Sequence, residues 1–68
     1  MSNLKTNWQT ISDLMDNKTT VFVKDKLGYE CQGIITMADN RTMWIKALDN
    51  DKQQGVWLNY VVEFREIK

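Results

Sequence analysis

The chain has 68 residues, with 9 lysines and arginines against 9 aspartates and glutamates, one cysteine and no histidine. At this length it makes one domain, residues 1–68, and buries only about 60% of its unfolded surface, so it is marginal alone. Balanced charge excludes a global field that draws in nucleic acid, and a lone cysteine excludes an internal disulfide. Without histidine the usual zinc ligand sets are excluded too, which leaves oligomerisation as the means of stabilisation.

Leu4, Trp8, Ile11 and Leu14 or Met15 recur at three-to-four spacing, with Lys5, Asn7, Gln9, Thr10 and Asp13 on the other side. The spacing predicts an amphipathic helix over about residues 4–16 that lies as a lid on the sheet. Thr6 with Gln9 has the form of a capping box, Ser2 is a competing earlier cap, and Asn17 suits a left-handed helix end. The opening residues MSNLKTNWQ carry no signal-peptide core, and no apolar run is long enough to span a bilayer. The expectation is a cytoplasmic chain with no membrane partner.

Thr19 to Asp25 is rich in β-branched and aromatic residues and sets Val21 and Val23 against Phe22 and Lys24, as a strand does. Lys26-Leu27-Gly28 makes a turn, with Gly28 available for positive φ. Residues 29–47 then read as a hairpin. Tyr29, Cys31, Gly33, Ile35 and Met37 share the inward face of its first strand; Met43, Ile45 and Ala47 share that of its second; and Ala38-Asp39-Asn40-Arg41 is the turn. A glycine inside a strand weakens it unless it relieves a bend or admits another backbone, so Gly33 marks a sharp bend toward barrel closure.

Leu48 to Gly55 is a polar, glycine-ended loop without the ligand spacing of a calcium site. Val56 to Leu58 is the fourth strand, Asn59-Tyr60 a tight corner, and Val61 to Ile67 the fifth strand. The predicted fold is mainly β: an N-terminal α-helix followed by a five-stranded, strongly bent antiparallel small barrel over about residues 19–67. The fifth strand begins without blunting charges, and pairing of a neighbouring subunit there would satisfy its backbone. Val61, Val62 and Phe64 are the candidate interface residues.

This layout resembles the Sm-like superfamily, and within it the bacterial Hfq branch. Gly33 and Asp39 in GIITMAD stand at the spacing of that family's first motif, followed by the apolar strand MWIKA, and the likeness covers nearly the whole chain. In the second motif the Sm branch has arginine-glycine and Hfq lysine-histidine, where this chain has Leu58-Asn59. Trp57 stands where Hfq has a pocket tyrosine, and the asparagine of the Sm branch falls on Met43, or on Trp44 if one residue is inserted. The resemblance implies a ring of subunits joined through the fourth and fifth strands, with single-stranded RNA around its pore.

On that implication Asn40, Arg41, Asn59 and Tyr60 are the candidate RNA-binding residues, because single-stranded bases stack on aromatic or guanidinium planes and amides read their edges. The same residues also suit plain turn formation. Trp44 and Trp57, on the outward phase of their strands, are candidates for base stacking or for anchoring a neighbour, and with Trp8 for a cluster beneath the helix. No nucleophile is paired with a base as catalysis requires, and no metal or other cofactor site is expected. Two readings stay open: a homo-oligomeric ring that binds RNA, and an interaction or assembly module that has lost RNA binding.

Overall fold

A computed structural model describes residues 4–67. Helix α1 spans Trp8–Asp16 and is followed by strands β1 (Thr20–Asp25), β2 (Glu30–Ala38), β3 (Thr42–Ala47) and β4 (Gln53–Trp57). A 3-10 turn, Leu58–Tyr60, leads into β5 (Val61–Glu66). All neighbouring strands are antiparallel, in the order β4-β3-β2-β1-β5.

The helix starts four residues later than its apolar spacing suggests, and Asn7 rather than Thr6 is the cap. Asn7 is extended (φ −95, ψ 165) and its Oδ1 accepts the Thr10 N–H at 2.9 Å. Leu4 is drawn off instead to β5, where its N–H donates to the Phe64 carbonyl at 2.6 Å. Ser2 lies outside the described residues. At the other end the left-handed residue is Lys18 (φ 52), one beyond Asn17, which keeps a right-handed conformation. The Lys18 N–H then reaches the Met15 carbonyl at 3.2 Å and the Thr19 N–H that of Leu14 at 3.0 Å, closing the last turn as a Schellman motif.

Every strand buries side chains on one face: Val21, Val23, Cys31, Ile35, Met43, Ile45, Val56 and Phe64. The helix adds the buried Ile11 and Leu14 to that core, with Met15 packed half-buried against it. One helix of 9 residues is about 14 Å long and cannot roof five strands spaced about 4.8 Å apart, so the sheet covers the rest by curling on itself.

Gly33 sits where β3 comes close to its backbone. A Cβ there would fall on the backbone carbonyl oxygen of Lys46 and lie 2.9 Å from Ile45 Cγ2, so β2 and β3 approach as only glycine permits. Three residues on, Thr36 is a bulge: Ile35 pairs with Ile45, but Met37 pairs with Trp44 and Ala38 with Met43. The extra residue reverses the phase. Met37, inward by simple alternation, is therefore outward and 55% exposed, while Ala38 packs against the core. Tyr29, just before β2, is likewise exposed. The fourth strand starts at Gln53, inside the stretch that reads as loop, because Gln53 and Gln54 pair with Lys46 and Ile45.

Candidate functional site

The β2–β3 turn is built around Asp39. Its Oδ1 accepts the Arg41 and Thr42 N–H groups, each at 2.8 Å, and the Thr42 hydroxyl at 3.1 Å, while its own N–H donates to the Thr42 carbonyl at 2.9 Å. The Arg41 N–H, then that of Thr42, holds the carboxyl below its ordinary value; the Thr42 hydroxyl and the Arg41 charge add to this and slight desolvation opposes it. With the turn closed by one side chain, Asn40 and Arg41 are carried at its tip and both are exposed.

The 3-10 turn docks onto this tip. The Leu58 N–H donates to the Arg41 carbonyl at 2.8 Å, and Trp57 pairs across the ladder with Thr42. The Leu58 side chain packs against the core. Asn59 beside it is exposed, and the Trp57 indole is 55% exposed. One end of the sheet thus brings together a guanidinium, two amides and an indole, all open to solvent. Trp44, cross-strand from Gly55, lies along the same outer surface; a Cβ at Gly55 would come within 3.2 Å of its ring, so the glycine seats the indole.

Tyr60 takes a different place from Asn59. Its carbonyl accepts the Lys26 N–H at 2.7 Å, and the Lys26 ammonium lies 4.2 Å from its ring centroid, so it faces the β1–β2 turn, where Gly28 has the expected positive φ of 88. Lys26 is the residue sequence reasoning missed at this site, since nothing local links a turn lysine to a tyrosine 34 positions later. The three tryptophans do not gather beneath the helix: Trp8, Trp44 and Trp57 are 59%, 39% and 55% exposed.

At the fifth strand the apolar residues divide. Phe64 is wholly buried, Val61 packs against the core, and Val62, the extra residue where Lys24 pairs with Glu63 and Asp25 with Val61, is exposed. What β5 offers along its outer edge is therefore mainly backbone. Cys31 is buried, and burial first, then the Asp49 charge, pushes its thiol up, away from reactive thiolate character. Among the described residues no helix is long and apolar enough to cross a membrane, and no group of acidic residues and cysteine is placed to hold a metal ion.

A short helix followed by five antiparallel strands in one bent sheet, with β4 and β5 as its edges, is the Sm-like fold. Among solved structures the chain is similar to a crystal structure of the pleiotropic translational regulator Hfq, with a TM-score of 0.75 at 18% identity, over 84% of this chain and 92% of that one. At that identity the likeness is one of fold alone. No protein-family model and no curated protein matches the chain.

Proposed function

We propose that this chain is the subunit of an Sm-like ring that binds single-stranded RNA around its opening. The observation that carries the reading is the junction at Arg41, where the Leu58–Arg41 hydrogen bond and the Thr42–Trp57 pairing join Asn40, Arg41, Trp57 and Asn59 on one solvent-facing end. A guanidinium and an indole are planes on which bases stack, and the amides supply edge contacts. Tyr60 contributes the Lys26 ammonium held over its ring, a second positive charge for phosphate. Trp44 extends the stacking surface.

The fold likeness supports the ring, and so does the strand order. With β4 at one edge and β5 at the other, pairing one subunit's β4 with the next subunit's β5 is a head-to-tail contact, which closes into a ring when the rotation permits. Repeating the junction around one opening gives a chain of zero net charge a locally concentrated site. The test is an anisotropy titration with uridine-rich and adenine-rich oligonucleotides at two salt concentrations. Saturable binding that weakens with salt is expected; none at low salt overturns the RNA reading.

The second reading, an assembly module without RNA, draws on the same balanced charge and on the exposed apolar surface of Met37, Trp44 and Trp57. It predicts an intact oligomer that leaves the oligonucleotides unbound.

A further inference from the structure

The two edges of the sheet differ in one respect. Outside β4 no strand lies among the described residues, whereas outside β5 the Leu4 N–H sits on the Phe64 carbonyl at 2.6 Å. Phe64 buries its ring in the core, so that carbonyl is what it presents outward. The Leu4 side chain also packs against the core, and residues 4–7 with Val61, Val62 and Phe64 bound an open groove of about 460 Å³. Between Leu4 and the helix there is no regular structure. The segment lies against an edge strand through that one bond, and it demonstrates that this edge takes a main-chain donor from outside the sheet.

We propose that Leu4 and the residues after it form a self-cap on the subunit edge, occupying the Phe64 acceptor that β4 of a second copy takes when the ring closes. The proposal rests on the ring reading above. The cap makes one backbone hydrogen bond but is tethered, and a short tether is equivalent to a local concentration in the millimolar range. An incoming β4 brings a ladder of several bonds along Gln53–Trp57, as in other strand additions, but arrives from dilute solution. In the dilute monomer the cap holds the edge and shields it from indiscriminate pairing. As subunits accumulate, the ladder displaces it.

The experiment is a sedimentation dilution series on the full chain and on two variants, with folding verified by circular dichroism. Leu4→Pro removes the donor, and its assembly midpoint is expected at a concentration about threefold to tenfold lower than the parent's, the factor that one hydrogen bond of ordinary net strength represents. Leu4→Ala keeps the donor and should stay nearer the parent. A parent that assembles while Leu4→Pro has an equal or higher midpoint overturns the self-cap and leaves the ring standing. No assembly of either at any concentration sinks the ring and the self-cap together. Amide exchange gives a check without a variant: the Leu4 N–H is expected to exchange slowly in the dilute monomer, and exchange at the unstructured rate there refutes the cap.

Discussion

Replacing Gly33 by alanine tests the close approach of β2 and β3 at that position. The new Cβ would overlap the Lys46 carbonyl oxygen and lie 2.8 Å from its carbon and 2.9 Å from Ile45 Cγ2. Overpacking costs about 1–3 kcal/mol, and the upper part of that range applies because the obstacle is backbone, which no rotamer change relieves. Gly28 is the glycine with positive φ, so alanine at 33 meets no left-handed strain and gains about 0.4–1 kcal/mol from a less flexible unfolded chain. The clash wins, for a net loss of about 2 kcal/mol against a total stability of about 3–10 kcal/mol for a chain of this size. The melting temperature should fall by about 8–16 °C. Far-UV circular dichroism in a thermal or urea series measures it, at fixed protein concentration because assembly shifts apparent stability. Gly28→Ala is the control: its Cβ meets nothing within 4 Å, so only the positive φ opposes it, at about 1 kcal/mol. A Gly33→Ala protein as stable as the parent would refute the close-approach account.

Asn7→Ala removes the acceptor for the Thr10 N–H and should lower stability by about 1 kcal/mol, whereas Thr6→Ala should change little; equal losses in urea unfolding would restore Thr6 as the cap. The Asp39 carboxyl has a depressed folded pKa. Its contribution to stability is therefore fully present above the unfolded aspartate value of about 3.9 and is lost as pH falls through the lower folded value. The stability difference between parent and Asp39→Asn should shrink over that acid range, and an Asp39 carboxyl titrating by NMR at or above the ordinary value would remove the prediction. Arg41→Ala should leave the oligomer intact by sedimentation and weaken oligonucleotide binding, and the slope of its salt dependence should flatten by about one unit for each phosphate that the guanidinium neutralises in the parent. Unchanged affinity and slope would move the RNA site away from the β2–β3 turn.

Met37, Trp44 and Trp57 are outward because the Thr36 bulge, the β3 phase and the β4 register agree at the same end of the sheet. Thr36 uses its hydroxyl there to reach the Gln53 side chain at 3.2 Å and the Trp44 carbonyl at 3.4 Å. Large apolar side chains grouped outward near a sheet edge form the kind of patch that marks an interaction surface, and on the ring proposal a neighbouring subunit would stand beside it.

Alternation and composition were enough to place β1 with Val21 and Val23 inward, the β2–β3 hairpin with its turn at Asp39, the Gly28 turn and Gly33 as a special strand position, though the sequence there reads as a bend and the structure shows a close approach to the Lys46 carbonyl. Each rests on interactions between residues close in the chain, or on a side-chain type with one conformational use. The start of α1, the outward swing of Met37, the reach of β4 back to Gln53, the union of Tyr60 with Lys26 and the docking of Leu58 on Arg41 came only with the tertiary structure. A bulge adds one residue and reverses every side chain beyond it, and a helix gives up its first turn when a distant carbonyl binds the chain ahead of it. Neither event has a local signature, because the energy that decides it lies in a partner strand many residues away.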